Sequence, residues 1–300
     1  MPFHYTLYGL HVTSEMAIAG LRPADDDTTT PDVTIVYGMV PTAIADAKAG
    51  VTYSASAREF LLDMADVARY HVADGRQITI APYPGVPDST VRLFLLGSAL
   101  GALLHQRGML PMHASAIALD DMAILFAGAS GAGKSTMAAS LHQRGYPLIA
   151  DDITVVYAGA QGRPIAAPAF PQMKLWAQSL TALDTPAEGL TRIRPELEKC
   201  TLPIGDGFQA APLPIKKLYL LHAHNKPEIE IKPVTGMAKI RVLRTQVYHR
   251  RVMEYMGADS AHFAAITALA MHTPVAIVRR SSDLLRLDEL IALLETDMRA

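Results

Sequence analysis

The chain has 300 residues, a formal net charge of −2 and a pI near 6.6, and half of its residues are hydrophobic. That length suits one large domain or two smaller ones with a sizeable core, and the near-neutral charge argues against nucleic acid or an anionic membrane as the main partner. The single cysteine, Cys200, excludes an internal disulfide; with no basic and apolar leader at Met1–Tyr5, a reducing, cytoplasmic setting is expected.

Strand-like runs at Tyr5–Val12 and Val33–Tyr37 flank Pro23–Pro31 (PADDDTTTP), an acidic, proline-bounded stretch that reads as an exposed loop. Two more runs, Ala68–Val72 and Gln77–Ala81, are joined by the hairpin signal Asp74-Gly75. Residues 1–85 thus read as a β-rich region. Arg92–Gln106 reads as a helix. The longest apolar run, Leu93–Leu104, is interrupted by Gly97, Ser98 and Gly101 and at about 12 residues is too short to span a bilayer. From Pro111 the pattern becomes strand, glycine loop, helix, strand, the α/β grammar of a nucleotide-binding core. After Ala158 the signal weakens among Pro164, Pro168 and Pro171. A strand at Leu218–Leu221, a helix at Ser260–Met271, a strand at Val275–Val278 and a final helix at Asp283–Thr296 follow. In that last helix Leu284, Leu287, Ile291 and Leu294 share one face.

Gly128-Ala129-Ser130-Gly131-Ala132-Gly133-Lys134-Ser135 matches the phosphate-binding pattern G-x-x-x-x-G-K-[ST] in full. Glycines let the backbone curl so that successive N–H groups point at phosphate oxygens, and the following helix adds its positive end. The apolar strand Ala123–Ala127 before the loop and the helical stretch Thr136–Arg144 after it, closed by Gly145, supply the required context. Nucleotide contacts are expected from Gly128, Ser130, Gly131, Ala132, Gly133, Lys134, Ser135 and Thr136, with Lys134 on the β- and γ-phosphates and the Ser135 hydroxyl on Mg²⁺.

Asp151-Asp152 is the second element. The helix after the loop carries the chain about 15 Å away, and the strand Pro147–Ala150 returns it roughly 13 Å, to the level of the phosphates at the carboxyl end of a strand. Two carboxylates there can serve a metal and a nucleophile's proton; the alternative is a solvated acidic turn. His113 is the third. A two-residue turn at Asp120-Asp121 pairs Leu119 with Met122, so Ala114 falls opposite Ala127 and His113 opposite Gly128, at the mouth of the loop. A structural strand-end histidine is the equal alternative.

These residues, in the stretch MHASAIALDDMAILFAGASGAGKSTMAASLHQRGYPLIADD, resemble the HPr kinase/phosphorylase family, which has a histidine before a hairpin, a G-x-S-G-x-G-K-S loop and a strand ending in an aspartate pair. The segments YTLYGLHVTSEMAI, LLGSALGALLHQRGMLPMHASAI and VYHRRVMEYMG are similar to the related kinases of ribosomal peptide gene clusters, lasso-peptide clusters among them. The resemblance implies an α/β kinase core of the HPr kinase C-terminal type over 86–300, with 1–85 as a substrate or accessory region. It implies ATP and Mg²⁺ as cofactors and a peptide or protein serine as acceptor. One aspartate becomes the base, assigned to Asp152, with Asp151 nearer the metal and the reverse left open; His113 tunes the carboxylates. The arginine-, asparagine- and proline-bearing second signature and the usual N-terminal domain of true HPr kinases are not found, so the resemblance leaves HPr as acceptor, phosphorylase activity and a hexamer open. A homo-oligomer of another kind stays open.

Lys199, in the proline-bounded Pro195–Pro203, and Arg250 and Arg251, after His249, are weaker candidates for substrate or transition-state contacts, weighed against solvated basic residues. Cys200 reads as inert. The competing functions are a nucleotide-gated binding module without transfer and a kinase for HPr or for a small-molecule hydroxyl.

Overall fold

In the computed structural model, Tyr8 and Gly9 both take positive φ (53° and 77°) and fold the run beginning at Tyr5 back on itself. The expected single strand Tyr5–Val12 is therefore two strands of a hairpin, because this two-residue turn needs no proline or Asn-Gly to announce it. The structure describes residues 1–25, 29–193, 197–226, 228–281 and 286–300. Asp26, Asp27 and Thr28 of the predicted loop, Pro195 of the Lys199 segment, and Asp283, Leu284 and Leu285 of the predicted last helix lie outside the described residues. Two units emerge: residues 1–111 with 248–264, and residues 112–247 with 265–300.

The first unit holds β1 (Phe3–Leu7), β2 (Leu10–Ser14), β3 (Arg22–Pro23), β4 (Val33–Tyr37), β5 (Lys48–Ala49), β6 (Tyr53–Ala55), β7 (Glu59–Met64), β8 (Ala68–Ala73) and β9 (Gln77–Pro82). They form one sheet in the order β3-β1-β2-β4-β9-β8-β7-β6-β5. Alternation buries one side, as in β8, where Ala68, Tyr70 and Val72 are inaccessible. The division of the chain falls at Pro111, beyond residue 85, because the next helical stretch packs on this sheet. That stretch is α1 (Asp88–Phe94), a π-helical turn (Leu95–Ala99) and α2 (Leu100–Gln106). The Tyr70 hydroxyl donates to the Val91 carbonyl at 2.8 Å, and the Gly75 N–H donates to the Gln106 side chain at 2.7 Å.

Through β10 (Leu110–Met112) the chain enters the second unit. There follow β11 (Ala114–Leu119), β12 (Met122–Gly128), α3 (Lys134–Gln143), β13 (Leu148–Ala150), β14 (Thr154–Ala158), β15 (Pro164–Ala167), β16 (Gln172–Trp176), α4 (Ala177–Ala182), β17 (Thr191–Arg192), β18 (Lys199–Pro203), β19 (Leu213–His224), β20 (Glu230–Val234) and α5 (Met237–Arg244). After α6 (Arg250–Tyr255) in the first unit, α7 (Asp259–His272) leads back to β21 (Val275–Ser281) and α8 (Leu287–Arg299). The class is mixed α/β. β12, β19 and β21 run parallel at the centre, flanked by β11 and β13 on one side and by β20 on the other. Phe126 and Tyr219 stack at 5.7 Å between neighbouring strands, and Met137, Leu141, Ile291 and Leu294 from α3 and α8 join the same buried cluster. The smaller sheet β16-β18-β17 stands apart. Among the described residues no helix is long and apolar enough to cross a membrane.

Candidate functional site

The β11–β12 register pairs Ala114 with Ala127 and Leu119 with Met122, as counted from the sequence, with Asp120 and Asp121 at φ 45° and 39° in the turn. This brings His113 to the carboxyl end of β12. β13 runs parallel to β12, since each is antiparallel to β11, and so delivers Asp151 and Asp152 to the same edge. β19 and β21 end there too, with Ala223 and Arg280 each one residue before the strand's last. Open α/β sheets place their ligands at such an edge. Here it borders a cavity of about 600 Å³ whose lining comes wholly from the second unit.

The loop Gly128–Ser135 forms one wall. Gly133 caps α3 at φ 95°, and a Cβ there would collide with Nη2 of Arg280 and reach its Cζ at 3.0 Å. A Cβ at Gly128 would meet the Leu221 carbonyl at 2.7 Å. The first turn of α3 therefore opens onto the cavity with the positive end of its dipole. Lys134 is 6% exposed and donates to the carbonyls of Gly128 and Ala129, both at 3.0 Å. Arg280, 5% exposed, donates twice to the Ala132 carbonyl at 3.0 and 2.8 Å and once to Ser281. Neither cation touches a carboxylate among the described residues. Burial pushes both below their ordinary pKa values, and Asp152 and Asp151 partly restore Lys134.

The two aspartates face different surroundings. Asp151 is 5% exposed and absent from the cavity lining; its oxygens accept from the Ser115 hydroxyl at 2.7 Å and the Lys174 N–H at 2.8 Å. Asp152 lines the cavity, at the positive φ of 71°. The Lys174 ammonium pairs with its Oδ2 at 3.1 Å, and His113 Nδ1 lies 3.5 Å from its Oδ1 and 3.1 Å from its carbonyl. Burial pushes the Asp152 carboxyl up, but Lys174, His113 and Lys199 outweigh it and hold it below the usual carboxylate value. Burial, then Lys134, pushes His113 down, against the pull of Asp152. A neutral His113 then donates Nδ1–H to the Asp152 carbonyl.

Lys174 and Arg280 are the residues that sequence reasoning missed. Arg280 carried a readable signal, a basic pair after the apolar run Val275–Val278 at a strand's carboxyl end. Lys199 does line the cavity, with its ammonium 5.7 Å above the Trp176 ring. Arg250 and Arg251 open α6 in the first unit, where Arg250 pairs with Glu254 at 3.6 Å, and neither lines the cavity. Ser130, Gly131, Ser135 and Thr136 line it, and Thr136 bonds Ser179 of α4 at 2.9 Å. Ala132, itself outside the lining, gives its carbonyl to Arg280.

Among the described residues no group of three or more His, Cys, Asp or Glu could hold a metal ion by itself. The Ser135 hydroxyl, without a protein partner among those residues, and the cavity-facing Asp152 suit Mg²⁺, which keeps most of its shell as water and phosphate oxygens.

No family model matches the chain, and no curated protein does. Among solved structures it is similar to the HPr(Ser) kinase/phosphatase from Coxiella burnetii, at 12% identity and a TM-score of 0.33, over 63% of this chain and 92% of that one. Values this low carry no argument about activity, which has to come from the cavity itself.

Proposed function

We propose that the chain is an ATP- and Mg²⁺-dependent kinase that transfers the γ-phosphate to a hydroxyl group, with a peptide serine, such as that of a lasso-type precursor, as the acceptor. The observation that carries it is the pair of buried cations, Lys134 and Arg280, which donate only to backbone carbonyls beside a glycine loop at a helix N-terminus. A buried cation without a bonded carboxylate is costly, and an anionic ligand offsets that cost. The loop's open N–H groups and the motif at Gly128–Ser135 make a triphosphate the fitting anion.

In the reaction the acceptor oxygen forms a bond to the γ-phosphorus, the bond from that phosphorus to the β,γ-bridging oxygen breaks, and its electron pair leaves on ADP. Asp152 accepts the hydroxyl proton, and His113 and Lys174 hold its carboxylate. Lys134 and Arg280 stabilise charge on the phosphate chain in a site shielded from water. Ser135 would hold Mg²⁺ together with phosphate oxygens and water, and the ion would neutralise phosphate charge there. Asp151 serves from behind, fixing the strand end through Ser115 and the Lys174 N–H.

A second reading is a nucleotide-gated module without transfer, favoured by the Lys174–Asp152 pair, which occupies the carboxylate the reaction needs. The deciding experiment incubates the chain with ATP, Mg²⁺ and peptides encoded beside its gene, and looks by mass spectrometry for the gain of one phosphate. Transfer to a peptide serine is expected. Tight ATP binding with no transfer to peptide, free serine or water would leave the module reading in its place.

A further inference from the structure

The phosphate cradle accounts for only one wall of the cavity. The strand β16 builds another, and its alternation sends Met173 and Leu175 into the core while Lys174 and Trp176 share the opposite face. Lys174 meets Asp152. Trp176 stands two residues, roughly 7 Å, further along that face. Three residues beyond it, Ser179 returns to the loop helix by its bond to Thr136. The wall therefore runs from the reacting end of the phosphates, past an indole ring, back to the start of α3.

Trp176 is the chain's sole tryptophan and, among the described residues, the only Phe, Tyr or Trp of the lining, and it remains 40% exposed. Its surroundings in the lining are polar: Gln178, Ser179, Lys174 and Lys199. Lys199, paired with it across the β16–β18 register, holds an ammonium over the ring at a distance suited to a cation–π contact. An aromatic plate kept open beside a phosphate site, in a cavity large enough for a whole nucleotide, matches the π-face that every nucleobase presents.

We infer that Trp176 is the nucleobase platform of this cavity, stacking the base of the nucleotide whose phosphates lie on the Gly128–Ser135 loop. The inference rests on the kinase reading of the phosphate site. It predicts weak preference among bases, since stacking tolerates any ring.

The test titrates the full chain with ADP and with inorganic tripolyphosphate, following Trp176 fluorescence in the wild type and binding heat in Trp176→Ala and Trp176→Phe. ADP should quench the single tryptophan, and tripolyphosphate should leave it unchanged. Trp176→Ala should weaken ADP by about 5- to 150-fold, leave tripolyphosphate binding as it was, and be rescued by Trp176→Phe. If Trp176→Ala binds ADP like the wild type while Lys134→Ala does not, the base lies elsewhere and only the phosphate reading stands. If tripolyphosphate weakens as much as ADP, Trp176 is structural and the inference fails. A rise in acceptor KM with ADP binding unchanged would give the ring to the acceptor and overturn the inference. If the wild type binds neither ligand, the kinase reading and the inference fall together.

Discussion

Gly133→Ala tests the tightest approach in the glycine loop Gly128–Ser135. At φ 95° an alanine takes on a left-handed conformation that costs an L residue about 1–2 kcal/mol. Its Cβ would also occupy the place of the Arg280 guanidinium, which two bonds of 2.8 and 3.0 Å hold to the Ala132 carbonyl. Displacing that group loses at least one charged hydrogen bond, worth about 1.5–3 kcal/mol. The sum, about 2.5–5 kcal/mol, is a large part of the stability of an ordinary domain. Urea unfolding of the whole chain and calorimetric titration with ADP measure the two consequences, lower stability and weakened binding. The contact has its own signature. In Gly133→Ala/Arg280→Ala the clash is gone, so the double variant should be more stable than the sum of the single effects by about 1.5–3 kcal/mol. A Gly133→Ala protein within about 0.5 kcal/mol of wild type, or a double variant with strictly additive effects, would refute the reasoning.

Lys134→Ala should abolish nucleotide binding and phosphoryl transfer, and the stabilisation of thermal unfolding by ATP should disappear with them. Asp152→Asn should leave ADP affinity largely intact and slow single-turnover transfer by about 10²–10⁴, whereas Asp151→Asn, whose amide would set a donor against the Lys174 N–H or the Ser115 hydroxyl, should chiefly destabilise the chain, by about 1–3 kcal/mol; wild-type transfer in Asp152→Asn would sink the assigned base. In the first unit, burial and the neighbouring His262 push His105 down to about 3. The unfolded chain takes up this proton below about pH 6.5 and the folded chain does not, so stability is whole above that pH and falls by about 1.4 kcal/mol per unit on acidification; His105→Gln should flatten unfolding curves between pH 6.5 and 4, and an unchanged slope would count against it.

What could be read in advance was local. The two-residue turn at Asp120-Asp121 fixes the β11–β12 register by counting alone, and that register carries His113 to Gly128. The helix and strand lengths after the loop did the same for the aspartate pair. The β16–β18 wall could not be read so. Its five-residue strand follows a proline-rich stretch, and its partner begins more than twenty residues later, so neither strand shows a period long enough to be called. Lys174 and Trp176 therefore stayed hidden, although the same alternation that hid them explains their shared face. Arg250 and Arg251 stood out in the sequence by basic clustering, whereas Arg280, at a strand's carboxyl end in the parallel part of the sheet, was not singled out; only Arg280 lines the cavity among these three.

The charges of the cavity also bear on when Asp152 can act. Its lining holds Lys134, Lys174, Lys199 and Arg280 against a single carboxylate, that of Asp152. Without a ligand, Lys174 leans on that carboxylate at 3.1 Å and helps keep its pKa low, which makes it a poor acceptor for a hydroxyl proton. On the proposed reading, a triphosphate would bring several negative charges to the same place and compete for the same ammonium. Were Lys174 to turn toward a phosphate oxygen, the attraction that lowers Asp152 would weaken, and the carboxyl would rise from its lowered value. On that reading the strength of the base would depend on the presence of the group to be transferred, and the Lys174–Asp152 contact that favours a silent binding module would be the one that the phosphate chain draws away.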